Sequence, residues 1–598
     1  MEDTIKSRKE IAEQYQWRLE DIYRSNNDWE QDFSETKKLI GDVSHFQGRV
    51  GENAEKLQSC LALSEKLERM LEKLYVYARM RRDEDNADSF YQGMFSRIEN
   101  LSIEAGGAAS FIIPELSSLE ERLVEKFMEE NKELAVYKHY FAELFRQKEH
   151  ILSAKEEKLL AMSADLSVST KNIFTMLNNA DIKFSSIKDE NNQTVEVTKG
   201  RYGRFMESSD RRVRQDAFKS LYDSYKQLLN TIGATLNGSL KSDVFYARAR
   251  NYPSALAAAL DSDNIDPLVY ERLITSVHDK LPLMYKYMKL RKRILKLEQL
   301  HMYDLYNPLV PTFNQEVPYG KALEIMKKGL EPLGDEYLRQ VEKGLASGWV
   351  DVYENKGKTS GAYSWGSYDT HPYILMNYDN KFDDLFTLAH EMGHSMHSFY
   401  ANRNQPFTYS QYSIFIAEVA STVNESLLID YLLQNSQSKQ EKMYLLNHYL
   451  EQFRGTLFRQ TMFAEFEKIV HEKIERGEAL TPEDFNKIYT NLNKLYYGPD
   501  MALDNEIAWE WARIPHFYTG FYVYKYATGF SAATAIKDRI LTQGEAAVKD
   551  YLEFLSAGSS DYPLEVLKKA GADLTTPEPV NKALEYFGKL LAQMEELQ

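Results

Sequence analysis

Cys60 is the only cysteine in 598 residues, so no disulfide can form within the chain and no thiolate neighbours any histidine in the sequence. That scarcity fits a reducing compartment. Unbroken apolar runs of membrane-spanning length are missing as well. The nearest candidate, Ile414 to Leu433, is interrupted by Glu418, Asn424, Glu425 and Asp430 and reads as a helix of a soluble enzyme. Positive charge is in short supply: 73 Lys and Arg stand against 90 Asp and Glu, giving a net charge of -17 at pH 7. The average field therefore repels nucleic-acid phosphates and anionic lipid head groups. The first ten residues lack the apolar core of a secretory signal, and their acidic members argue against an organelle transit peptide. Internal repeats and low-complexity tracts are absent too. A soluble, cytoplasmic protein with neither nucleic acid nor membrane as partner is the expectation.

The residues that are present pattern mostly as helix. Leu57, Leu61, Leu67, Leu71, Leu74 and Ala78 form a helical stripe, and Leu119 to Phe145 continue at helical spacing after Pro114. Residues 1–180 read as an all-helical N-terminal domain. Ile182–Ile187 and Thr194–Thr198 alternate in polarity around a polar turn, which predicts a hairpin. Helical patterning then resumes from Arg211 to about Ala346, interrupted near Pro253, Pro267 and Pro282. Between Gly348 and Asn380, short β-prone runs at Val350–Tyr353 and His371–Tyr378 flank a glycine-bearing stretch, which predicts a small sheet.

Immediately after these strands comes His390-Glu-Met-Gly-His394. Leu385, Leu388, Ala389, Met392, Met396 and Phe399 recur three and four apart around it, so the run from Asp384 to Tyr400 reads as a partly buried helix with both histidines on one face. Residues i and i+4 rise about 6 Å, a span that two imidazoles can close onto one zinc ion at roughly 2.0–2.1 Å each. Glu391, one step round, is placed to reach a metal-bound water. A catalytic zinc takes three protein ligands and leaves one position open. His397 lies about 10.5 Å along the axis from His390, too far to converge with it. Glu418 belongs to a second helix, predicted over Gln411 to about Leu433, where a carboxylate among apolar neighbours needs a partner to offset its desolvation. Glu425, seven residues on, could orient a histidine ligand. An edge strand beside such a centre can hold an extended peptide by backbone hydrogen bonds. Donors for a developing oxyanion are offered by His516 to Tyr526, where Tyr518, Tyr522 and Tyr526 are four apart, as if on one helical face, and Tyr524 is offset.

Taken together, Trp17–Tyr23, Ala389–His397, Glu418–Ser421, Ile514–Gly529 and Ser556–Pro563 resemble the M3 family of zinc metallopeptidases, in its oligoendopeptidase F branch. The resemblance extends over nearly the whole chain. It implies a mostly α, two-lobed fold enclosing a deep channel, with a small β-sheet beside the zinc helix, and residues 181–598 as the catalytic domain. It further implies one Zn2+ held by His390, His394 and Glu418, with Glu391 as general base and oligopeptides as substrates. His516 and one of Tyr522, Tyr524 or Tyr526 would contact substrate or oxyanion. The thimet oligopeptidase branch carries its functional tyrosines at offsets where this chain has Lys525 and Thr528, so the residues leave the choice among the three open. Cleavage of internal peptide bonds is the leading expectation. An exopeptidase such as a dipeptidyl carboxypeptidase needs in addition a fixed cation for the terminal carboxylate, and a non-catalytic peptide binder has no use for Glu391.

Overall fold

The computed structural model describes residues 5–310 and 316–598, and the chain within them is mostly helical, with three small sheets. It divides into two compact units, each assembled from three stretches of chain. The first comprises residues 1–151, 314–431 and 536–572; the second comprises 152–313, 432–535 and 573–598. Compact units and the sequence-based division at residue 180 are therefore different partitions of the chain. Among the described residues no helix is long and apolar enough to cross a membrane.

In the first unit, the helix Ala54–Glu84 starts where Asn53 Oδ1 accepts the Lys56 N–H. Its buried stripe of Leu57, Leu61, Leu67, Leu74 and Ala78 joins one core cluster with Trp17, Trp29 and the helix Ser89–Ala109. Tyr373 and Leu375 of the predicted sheet belong to the same cluster, so the N-terminal helices seat the sheet. Polar contacts reinforce the seating. Arg8 donates to Glu84 and Asp351, at 2.9 and 2.6 Å, and Trp17 Nε1 donates to Glu84 at 2.7 Å.

That sheet has three short strands, in the order Val350–Asp351, Tyr373–Leu375, Tyr363–Trp365. The middle strand runs parallel to the first, with Val350 opposite Ile374, and antiparallel to the last, with Ser364 opposite Ile374. Tyr363–Trp365 is thus an edge, and it packs on the helix Phe382–Asn404 that carries the two histidines. Asp384 caps this helix by accepting the Lys381 and Asp379 N–H groups, at 3.0 and 2.7 Å. After the single turn of helix Phe407–Ser410, the helix that carries Glu418 spans Ala417–Asn435, beginning six residues later than the pattern predicts. Ser413 is the reason: its Oγ accepts the Phe415 N–H and its carbonyl the Ile416 N–H, a local turn that competes with helix.

In the second unit, the predicted hairpin is present as Ile187–Lys188 paired antiparallel with Thr194–Val195. Thr481 caps Pro482–Tyr497 in a reciprocal box with Asp484. A buried charge network crosses this unit, in which Arg211 and Arg214 both donate to the fully buried Asp304 at 2.8 Å.

Candidate metal centre

The centre is built where the histidine helix approaches Ala417–Asn435. Gly393, between Glu391 and His394, lies so near the second helix that a Cβ there would stand 2.5 Å from Ser421 Cα and 2.7 Å from the Ala420 carbonyl oxygen. Only glycine permits that approach. Buried Asn424 fastens it, donating from Nδ2 to the Ala389 carbonyl at 3.1 Å while its Oδ1 accepts the Tyr337 hydroxyl at 2.9 Å. The sequence pattern shows Asn424 only as a break in an apolar run and Gly393 only as a member of the histidine motif, although an asparagine inside an otherwise apolar helix is a signal of such a buried hydrogen-bonding role.

The close approach brings three donor atoms together. His390 Nε2 and His394 Nε2 are 3.2 Å apart, and Glu418 Oε2 lies 3.3 Å from the first and 3.5 Å from the second. A tetrahedral zinc with bonds of about 2.0–2.1 Å has ligand-to-ligand edges of about 3.3–3.4 Å. The three atoms are therefore spaced as the donors of one zinc ion would be, and two imidazoles with a carboxylate are an apt donor set for it. His390 Nδ1 faces Glu425 Oε1 at 2.5 Å, which fixes the ring and turns Nε2 toward the shared point. Burial disfavours charge on His390, yet its contacts with Glu418 and Glu425 push its pKa up to about 10. Glu418 is held far below the ordinary carboxylate range, since the two histidines outweigh its burial. A metal ion bound at this point would take the place of the proton.

Glu391 is 8% exposed, and burial raises its pKa. The two histidines and the Ser364 backbone N–H, from the edge strand, oppose that rise. Ser364 is itself tied to the histidine helix through a 2.7 Å hydroxyl contact with Ser395. His397 stands outside the group. It is fully buried, its ring lies flat on Tyr412 with centroids 3.6 Å apart, and burial keeps it neutral, with a pKa pushed down to about 3.

The remaining candidates lie in the second unit, and the fold separates them. His516 and Tyr526 meet at 3.4 Å, and the Tyr522 ring sits 6.2 Å from His516 and 5.5 Å from Tyr526. Tyr524 is turned away into the core, fully buried, with its ring 5.0 Å from Tyr270. The expected single face of Tyr518, Tyr522 and Tyr526 does not exist, because the helix begins only at Tyr524. Phe521 adopts a φ of 57° just before it, and Tyr518 instead stacks on Phe174 and shares a hydrogen bond with Thr235. Of the two offset positions, Lys525 pairs with Asp263 at 3.0 Å and Thr528 donates to its own helix backbone.

Known proteins resemble this chain along its whole length. A family model described as Peptidase family M3 matches residues 204–586, and one described as Oligopeptidase F matches residues 115–184. Oligopeptidase PepF of Bacillus subtilis is 48% identical over 593 residues, covering 99% of this chain and 88% of that protein. An oligoendopeptidase F homolog of Lactococcus lactis subsp. lactis is 42% identical, covering 99% and 98%. Among solved structures, oligoendopeptidase-F from Enterococcus faecium superposes with a TM-score of 0.74 at 37% identity, covering 96% of this chain and 99% of that one. Matches of this extent, in sequence and in fold, place the chain in peptidase family M3, the zinc metallopeptidases, among its oligoendopeptidase F members.

Proposed function

We infer that the chain hydrolyses internal peptide bonds of short oligopeptides at a single zinc centre formed by His390, His394 and Glu418, within a catalytic segment of residues 181–598. The observation that carries the reading is the triangle of donor atoms, 3.2 to 3.5 Å on a side, with the buried Glu391 carboxylate one residue along the same helix. Zinc, when bound, supplies a Lewis acid that polarises the scissile carbonyl and lowers the pKa of water to about 7.

Glu391 does the proton work. Its carboxylate takes one proton from the attacking water as the new C–O bond forms, and returns it to the departing amine nitrogen as the C–N bond breaks. Burial raises its pKa toward the working range, which suits a group that must both accept and release a proton. Glu425 keeps the His390 ring in the tautomer that offers Nε2. His516, with Tyr522 or Tyr526, supplies hydrogen-bond donors for the peptide or its developing oxyanion, a role supported by their mutual contact and partial exposure. Fully buried Tyr524 is the least suited of the three tyrosines. The edge strand Tyr363–Trp365 is suited to hold the substrate in extended form beside Glu391.

Glu391→Gln tests the mechanism. The variant is expected to keep its zinc, measured by atomic absorption, and to lose ~100- to 10,000-fold in turnover; full activity would sink the assignment. Internally quenched peptides blocked at both ends test the endopeptidase reading, and an absolute requirement for a free terminus would point to an exopeptidase.

A further inference from the structure

The long helical rod from Lys439 to Glu475 in the second unit is interrupted by one π turn, Phe453–Phe458, in which the Arg459 N–H donates to the Arg454 carbonyl. In an α-helix, residues five apart point about 140° away from each other. The five-residue closure stacks Arg454 and Arg459 on the same side, and π turns occur mostly where a protein uses them.

These arginines join a cluster short of negative charge. Arg454 gives Nε and Nη2 to Glu451 Oε2, at 2.9 and 2.7 Å, and Arg291 gives Nη1 to the same carboxylate at 3.0 Å. Arg459 and Arg513 each give one Nη2 to Glu510 Oε1, at 2.7 and 2.8 Å. Four guanidiniums thus share two carboxylates. Arg454 Nη1 is buried without a hydrogen-bond partner among the described residues. Among the described residues, Nε and Nη1 of Arg459 and Nη1 of Arg513 make no hydrogen bond.

Beside them, Tyr306 is 38% exposed, its ring is 4.9 Å from the Arg454 guanidinium, and its hydroxyl makes no hydrogen bond among the described residues. The charge of Arg459 above all, with Arg454 and Arg513, outweighs burial and lowers the Tyr306 pKa. Arg459 also helps to lower that of His516, after burial, and Arg513 stands three residues before His516 in the chain, so the cluster is continuous in sequence with a residue proposed to contact substrate.

We propose that Tyr306, Arg459 and Arg513 form a carboxylate-binding subsite that holds an anionic group of the substrate peptide, either its C-terminal carboxylate or an acidic side chain. The identity of the ligand rests on the peptidase reading; the anion preference rests on the cluster alone. A guanidinium fork matches the two oxygens of a carboxylate, and the phenol adds a third donor. The chain's net charge of -17 works against polyanions as the occupant.

The test compares internally quenched peptides of one sequence, as free acid and as amide, with and without one glutamate, on the zinc-loaded full chain. The peptide bearing the recognised carboxylate is expected to show a ~10- to 100-fold lower KM, as for charge-assisted hydrogen bonds, at similar kcat. Arg459→Met should erase the KM difference between the preferred peptide and its neutral counterpart, Arg459→Lys should restore part of it, and Tyr306→Phe, at a partly exposed position, should weaken it in a folded protein. Preference for the free acid identifies the terminal carboxylate, and preference for the glutamate peptide an acidic side chain. Equal KM for all four peptides, or variants that raise every KM alike, would overturn the proposal. Calorimetry of an N-acetylated peptide acid against its amide, on zinc-free protein, reads the subsite even if the chain cut no peptide. Equal affinity there also overturns it.

Discussion

Around His390 and His394 the chain gathers acceptors, and around Tyr306 it gathers donors. In the first unit two imidazole nitrogens and the Glu418 oxygen crowd within 3.5 Å of one another, with Glu391 and Glu425 alongside. In the second, four guanidiniums divide two carboxylates among them and keep donors unused. One cluster is a cation short and the other an anion short. Neither is the arrangement that stability alone selects, since buried charge is costly until it is matched. Each is held in place by close contacts: the Gly393 approach and the Asn424 bridge in one, the Glu451 and Glu510 carboxylates in the other.

Removing an acceptor from the first cluster is the sharpest way to break the comparison. Glu418→Ala is expected to lose zinc outright in atomic absorption, an effect larger than the ~10- to 100-fold weakening typical of an outer partner. Glu425→Gln probes that outer position, and zinc affinity measured by competition with a chelator should fall ~10- to 100-fold while the metal-free protein remains folded.

In the second cluster the acceptor is Glu510. Burial would raise its pKa, but Arg459 and Arg513, aided by the Tyr489 hydroxyl, bring it down to about 2. Glu510→Gln leaves both guanidiniums without their counter-ion, and denaturant melts at pH 7 should show a loss of about 3–5 kcal/mol. The sign of its pH dependence follows from the depressed value. The contribution of Glu510 is complete above its ordinary 4.5 and disappears as pH falls toward about 2, so the gap between wild type and variant should narrow only below 4.5. A gap that stayed constant from pH 6 to pH 3 would mean that the carboxylate is not held by its arginines. The smallest effect is expected at His397. It is neutral and stacked in the core, so His397→Phe should keep its zinc and lose less than about 1.5 kcal/mol. Loss of metal there would place His397 back among the ligands.

Much of the first cluster was legible beforehand because it depends on local periodicity. Helical spacing put His390 and His394 on one face, and the apolar surroundings of Glu418 asked for a cation. The runs Val350–Tyr353 and His371–Tyr378 did supply two strands of a sheet, but the edge strand against the histidine helix, Tyr363–Trp365, came from the glycine-bearing stretch between them. The second unit resisted the same reading. Four-residue spacing of Tyr518, Tyr522 and Tyr526 looked helical, yet the chain between them turns through Phe521 at a φ of 57°, its N–H accepted by buried Glu467 at 3.0 Å. A phenylalanine in that conformation has no signature in its neighbours, since it is a distant carboxylate that holds it. Ser413 delayed a helix in a similar way, through a hydroxyl contact that weighs little in an apolar pattern.

The sequence by itself determined what one helix can arrange: two imidazoles a turn apart, a carboxylate one step round from the first, and the apolar stripe that buries the helix between them. These follow from a 1.5 Å rise and 3.6 residues per turn, whatever the rest of the chain does. Tertiary structure alone decided the distance of Glu418, which reaches the histidines only where Gly393 lets one backbone touch another. It decided the arginine cluster too, since Arg454 and Arg459 share a side only through a π turn, an irregularity of backbone hydrogen bonding that residue periodicity does not encode.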